Sequence, residues 1–437
     1  MWADLPLVVV LHRDLRQHLY NGKGWKVADS GFIYEWKAMR VPGCCWLRLI
    51  VLLLFPGGVG VGRPILEAQE WARFRGVNGS GLSTAASLPI RWSESENLAW
   101  KLDLAGEGSS SPVLWEDRIF LTCSRMPADR GAVPQRSLLC VDAVSGSLQW
   151  SVEAPEPVRE DPPQGYLTEH GYASNSVATD GRAVYAFFGK SGVVACGFDG
   201  RVLWQVNVHR DDGRVIWKAE AAALELAYGT LGQLKYDDGR TELILAVPGE
   251  VWGLNARTGK LAWFAETQLT GNVCPSPLIV GSEIFVFGGF RSSGSYCLRS
   301  GGKGDVSQSC VKWQTRSSSY VATPVHFRGR LYWADDQGIA WCLNADTGET
   351  VYRERIPRLR TGGRPIYASP IVAGGRIYIP TRRDGTLVIP AEDSFSVLAM
   401  NRIAGDDTDF NATPAVHGNR LILRSNRALY AVGGGSP

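Results

Sequence analysis

From about residue 100 onward, short apolar runs alternate with breaks rich in Gly, Pro, Asp and Asn, and the runs alternate aliphatic and aromatic residues rather than following a helical period. This pattern predicts β-hairpins. Six segments share one layout: SSSPVLWEDRIFL from Ser109, ASNSVATDGRAVYAF from Ala173, CPSPLIVGSEIFVF from Cys274, VATPVHFRGRLYW from Val321, YASPIVAGGRIYI from Tyr367 and NATPAVHGNRLIL from Asn411. In each, a strand enters at Ser/Thr-Pro, a two-residue turn follows, and the next strand leaves. Aligned with Ser176 in the proline place, all six carry a charged residue six positions on: Arg118, Arg182, Glu283, Arg330, Arg376 and Arg420.

A second half-motif sets a turn glycine four residues before an aromatic: Gly146 and Trp150, Gly200 and Trp204, Gly213 and Trp217, Gly259 and Trp263, Gly348 and Tyr352. Glycine supplies the positive φ of a tight turn, Asp or Asn closes it, and the aromatic packs the outgoing strand on a neighbouring sheet. Together the halves form a four-stranded antiparallel unit. The prolines at 277, 324, 370 and 414 are 47, 46 and 44 residues apart, a repeat length that predicts a β-propeller over two stacked β-sandwiches.

Eight second halves are countable, at Trp100, Trp150, Trp204, Trp217, Trp263, Trp313, Tyr352 and a degenerate one near residues 393–400. Seven first halves are countable, one of them degenerate within residues 228–246. The strand over residues 97–104 lacks a first half and the hairpin at Pro414 lacks an outgoing strand. The expectation is therefore an all-β propeller of seven to eight four-stranded blades over residues 71–434, in which residues 97–104 complete the last blade. The sector around residues 205–230 reads as one shortened blade, since Trp204 and Trp217 are only 13 residues apart and the helix-favouring run KAEAAALELAY follows.

These motifs resemble the pyrroloquinoline-quinone-like (PQQ-like) repeat propellers, a family that includes the outer-membrane β-barrel assembly lipoprotein. The opening WARFRGVNGSGLS and the LPIRWSESENLAWKLDL after it look like the start of secreted propellers of planctomycete-type bacteria.

Composition narrows the reading. With 50 Gly and 23 Pro, 45% hydrophobic and 20% charged residues, the chain is neither disordered nor helical. The net charge of +3 resides in residues 1–62, leaving a neutral body with no footprint for nucleic acid. Residues 39–62, MRVPGCCWLRLIVLLLFPGGVGVG, have the layout of a secretory signal peptide. Residues 1–38 then read as a mis-assigned or disordered extension. The apolar run at residues 49–55 is short of the roughly 18 residues that a membrane span needs. The mature chain is expected to be periplasmic or secreted, without a transmembrane span.

Catalytic signatures are sparse. No GxSxG, P-loop or HExxH occurs, and Gly301–Asp305 (GGKGD) reads as a hairpin turn rather than a phosphate cradle. Most cysteines outside the signal read as buried apolar residues, while Cys297 and Cys310 could pair across that turn. The family's quinoprotein dehydrogenases use quinone, calcium, an acidic base and often a disulfide between adjacent cysteines; the only adjacent pair here, Cys44 and Cys45, lies in the signal. The expectation is a non-catalytic binding or scaffold module without cofactor or metal, serving a protein, peptide or glycan. A quinone-dependent dehydrogenase, with PQQ and calcium, is one alternative, and an accessory factor in outer-membrane protein assembly is another. The second implies a lipid anchor, for which no cysteine follows the apolar run. Propellers bind at the channel mouth where the inner strands begin, and the residues there are Glu107, His170, Tyr172, Asn272, Tyr320, Tyr367 and Asn411.

Overall fold

In the computed structural model, which describes residues 71–127, 133–155, 167, 171–206, 221–288, 294–360 and 363–434, seven antiparallel sheets follow one another along the chain. They form blades 1 to 7 of a β-propeller: residues 113–153, 178–206, 232–266, 278–315, 325–355, 371–401 and 415–433. Six blades take all four strands from one stretch of chain. Blade 7 takes its outermost strand, Leu98–Asp103, from the other end, with Leu102 opposite Leu429 and Asp103 opposite Ala428. Among the described residues the number of blades is thus seven. Residues 207–220, which contain the Gly213–Trp217 half-motif, lie outside the described residues, as do residues 1–70; on either side, blade 2 has four strands and blade 3 has four of its own with a fifth, Gly304–Asp305, added at its outer edge.

The residues explain the strand types. Middle strands such as Arg118–Arg125 and Ala428–Gly433 are apolar on both faces, because each sheet is covered on both sides by its neighbours. Outer strands such as Leu98–Asp103 and Leu148–Glu153 alternate half-buried and exposed positions. Their aromatics sit against the next blade's turn. The Trp100 ring lies on Gly146 and its indole donates to the Ala143 carbonyl at 3.1 Å; Trp150 lies on Gly200 and donates to Phe198 at 2.9 Å; Trp313 lies on Gly348 and donates to Ala345 at 2.9 Å.

Deeper in, the Ser or Thr before each repeat proline links blade to blade. Each accepts at its hydroxyl the backbone N–H of its counterpart in the preceding blade: Ser111 to Ser176, Thr230 to Ser276, Ser276 to Thr323, Thr323 to Ser369 and Ser369 to Thr413, all at 2.9 Å, and Thr413 back to Ser111 at 3.0 Å. This belt corrects the alignment of blade 2. Ser176 stands in the hydroxyl place and Val177 in the proline place, and Ala183, not Arg182, is six residues on. The pairing of Ala178 with Tyr185 matches that of Val113 with Phe120 on this register. The identity of one charged residue misled the alignment, whereas the hydroxyl contact sets the register.

The belt has one gap, between Ser176 and Thr230. At this seam the apolar side of blade 3 (Leu243, Leu245, Val247) packs with the 3₁₀ turn Ala222–Leu226, whose Leu224 is buried. Blade 2 correspondingly leaves Val202, Leu203 and Trp204 between 42% and 45% exposed. The apolar clusters at the other seams span neighbouring blades.

Two local expectations are corrected. Gly301–Asp305 is not a simple hairpin turn: Gly304–Asp305 crosses to pair in parallel with the outer strand of blade 3, Leu261–Glu266, and a single helical turn, Ser307–Cys310, follows. Cys297 and Cys310 do not pair, and all seven described cysteines are free thiols.

Candidate functional site at the channel mouth

The two ends of the channel differ. The turns between first and second strands, and between third and fourth, lie on one face, which we call the turn face. The longer connections between blades, for example residues 267–277 and 402–414, lie on the other, the mouth, where the inner strands begin.

Residues 71–83 occupy the channel toward the turn face. They bond to inner strands of five blades: Leu114 donates to Trp71 O in blade 1, Thr179 to Ala72 O in blade 2, and Gln233 exchanges bonds with Asn78 in blade 3. Arg75 reaches Pro324 O in blade 5 and Pro370 O in blade 6, and Leu82 pairs in parallel with Val372 in blade 6. A segment that touches the inner strands of five blades lies inside the ring. The mouth is therefore the end not filled by this segment.

At the mouth, Glu107 is exposed, its backbone bridged to Ser124 in blade 1. His170 lies outside the described residues. Tyr172 is half-buried, and the Arg136 guanidinium lies over its ring at 5.5 Å. Asn272 is half-buried beside Val273, whose N–H donates to Leu226 O. Tyr320 and Tyr367 are buried, beneath Arg364 at 4.5 Å and Arg382 at 4.6 Å, and Asn411 is half-buried ahead of the inner strand of blade 7.

Of these residues the structure brings Tyr320 and Tyr367 into one unit. Arg364 stands 3.3 Å from Asp336; although burial works against its charge, hydrogen bonding to Tyr367 and Tyr320 holds its pKa above the ordinary value. Burial pushes the Asp336 carboxyl up, against the hydrogen bond from Gln337 and the pull of Arg364. Arg382 and Arg383 both reach Asp409, at 2.5 Å each. Sequence reasoning found the tyrosines and missed the arginines that cover them; the signal was the cationic turns RLRTGGRP and TRRDG ahead of and inside blade 6.

The described groups at the mouth offer hydrogen bonding and charge recognition. Burial pushes Cys140, Cys274, Cys297 and Cys342 up to about 12, which removes the thiolates a nucleophile needs. His326 stacks on Phe285, and His417 bonds Asp117 at 2.9 Å across blades 7 and 1. Among the described residues no three His, Cys, Asp or Glu side chains are grouped to hold a metal, and the channel interior carries the Arg75 guanidinium instead. These donors do not fit a calcium ion, which takes six to eight oxygens with carboxylates among them.

The family model described as outer membrane protein assembly factor BamB matches residues 89–212 and 199–305. The chain belongs to the PQQ-like repeat propellers. No curated protein matches it. Among solved structures this PQQ-like propeller is similar to BamB from Moraxella catarrhalis, with 12% identity, 77% of this chain and 99% of that chain covered, and a TM-score of 0.43. It is similar to a chain of the mitotic checkpoint complex, with 12% identity, 89% and 100% covered, and a TM-score of 0.47. It is also similar to the quinohemoprotein alcohol dehydrogenase of Comamonas testosteroni, with 10% identity, 84% and 81% covered, and a TM-score of 0.41. Among the described residues no helix of this PQQ-like propeller is long and apolar enough to cross a membrane.

Proposed function

We propose that this propeller is a non-catalytic binding or scaffold module of the periplasm or secreted space, presenting its channel mouth to a protein, peptide or glycan. One observation carries the reading: residues 71–83 fill the channel toward the turn face, and the mouth bears the long connections and the arginine-covered tyrosines. Guanidinium and carboxylate groups there give directional hydrogen bonds, and the rigid belt beneath holds them in place. The family match adds one partner class, proteins of outer-membrane assembly.

A photo-crosslinking residue at Glu107 on the mouth, compared with one at Asn419 on the turn face, tests the orientation. Adducts from Glu107 and none from Asn419 are expected, and the reverse pattern would overturn it. Calorimetric titration with pyrroloquinoline quinone, with and without calcium, beside a dye-linked alcohol and sugar oxidation assay, tests the absence of catalysis. Saturable binding with turnover would make the protein a dehydrogenase.

A further inference from the structure

Three arginines are buried among the described residues, Arg75, Arg136 and Arg424, and Arg75 differs from Arg424 in one respect. Arg424, at the end of the second strand of blade 7, donates through Nη1 to Ser110 O at 2.7 Å and to Ser110 Oγ, and through Nη2 to Thr122 O at 2.7 Å; only Nε is left over. Arg75 in the channel is 0% exposed and uses Nη2 alone, toward Pro324 O at 2.9 Å and Pro370 O at 3.4 Å. Its Nε and Nη1 are buried without an acceptor.

The position of this guanidinium is held from both sides. Nη2 packs so closely on Gly81 that a Cβ there would lie 2.5 Å away, and Gly81 N–H closes the loop onto Arg75 O at 2.9 Å. Among the described residues Arg75 makes no ion pair with a carboxylate. The buried acids among the described residues are Glu242, Asp384 and Asp409, and each is engaged elsewhere: Glu242 with Tyr236, Trp263 and Arg240, Asp384 with Arg360, and Asp409 with Arg382 and Arg383. A second cation of the same segment, Arg73, is half-buried against Leu231 O at 2.6 Å, and the Trp71 indole N–H is buried without an acceptor.

We infer that the channel holds a small monovalent anion, of the size of chloride, against Nε or Nη1 of Arg75. A buried charge without a counter-charge is costly, and removing one member of a buried pair is strongly destabilising. Water satisfies the N–H groups but leaves the charge uncompensated, whereas an anion does both. Burial also pulls the Arg75 pKa down, to about 9, which is the direction expected of a guanidinium whose protein surroundings supply no negative charge.

Two measurements on the full chain test this, independently of any partner at the mouth. Crystals soaked in bromide are expected to show an anomalous peak in contact with Arg75 Nε or Nη1. At matched ionic strength, the Tm of the native protein is expected to be higher in sodium chloride than in sodium gluconate, saturably, and that difference is expected to vanish in Arg75→Gln. Absence of the bromide peak, together with equal Tm in both salts or an equal chloride effect in Arg75→Gln, would overturn the site. If Arg75→Gln does not fold, the bromide map and the native Tm comparison decide it.

Discussion

The backbone N–H of Thr413 donates to the hydroxyl of Ser111 at 3.0 Å across 302 residues of sequence, and this bond ties the last blade to the first. The donor is buried, so removing its acceptor leaves it unsatisfied at a cost of about 1–3 kcal/mol. Ser111→Ala is therefore expected to lose stability in that range by urea unfolding. Thr230→Val is the contrast: Thr230 is exposed and its hydroxyl takes no belt bond, so its loss is expected to be smaller. Equal losses would show that the belt does not contribute.

The turn glycines under the tryptophans make a sharper test. Gly146 has φ 75°, and a Cβ there would come within 2.5 Å of the Trp100 ring, so Gly146→Ala adds overlap to backbone strain. Its expected cost is about 2–4 kcal/mol. Gly329 has nearly the same φ, 74°, with open space where its Cβ would stand; Gly329→Ala should cost only the conformational penalty of about 1–2 kcal/mol. Equal Tm shifts in the two variants would remove the Trp100 contact from the account.

The open seam predicts unequal tryptophans. Trp150 is half-buried, on Gly200, with its indole bonded to Phe198 O, whereas Trp204 is 43% exposed, its ring tilted against Tyr185 at 5.9 Å. Trp150→Ala is expected to cost about 3–5 kcal/mol and Trp204→Ala less than half of that, by urea unfolding. Native-state hydrogen exchange should likewise be faster in Val202–Val206 than in Arg118–Arg125.

His326 gives a pH signature. Burial against Phe285 holds its imidazole below the ordinary value, while Glu283 and Asp346 pull the other way. The unfolded chain takes up a proton as pH falls through about 6.5 and the folded chain does so only at lower pH. Its contribution to stability is therefore full above that pH and is lost as pH falls through the depressed folded value. In His326→Phe this part of the acid sensitivity should disappear. An unchanged dependence of the urea midpoint on pH, relative to the native protein, would show that His326 does not titrate differently on folding.

Much of the architecture was legible because it is made by local signals that recur. Ser/Thr-Pro marks where inner strands start, Gly four residues before an aromatic marks a turn and its packing ring, and repetition of both at nearly constant spacing is the propeller itself. The strand Leu98–Asp103 completing blade 7 followed from counting unmatched halves. At the mouth the same reasoning reached Tyr320 and Tyr367, since they precede repeat prolines, but not Arg364 and Arg382 above them: the turns RLRTGGRP and TRRDG mark a cationic stretch, and only the fold sets two of its arginines over the rings.

By itself, then, the amino-acid sequence determined the strands, the turns, the repeat and the strand that completes the last blade, because each depends on residues a few positions apart or on a pattern that recurs. Only the tertiary structure decided the register of blade 2, the seam between blades 2 and 3, and the burial of Arg75 inside the ring. Those outcomes rest on contacts such as Arg75 with Pro324 and Pro370, 249 and 295 residues apart, whose partners carry no mark in their own neighbourhood and meet only once the blades have closed around them.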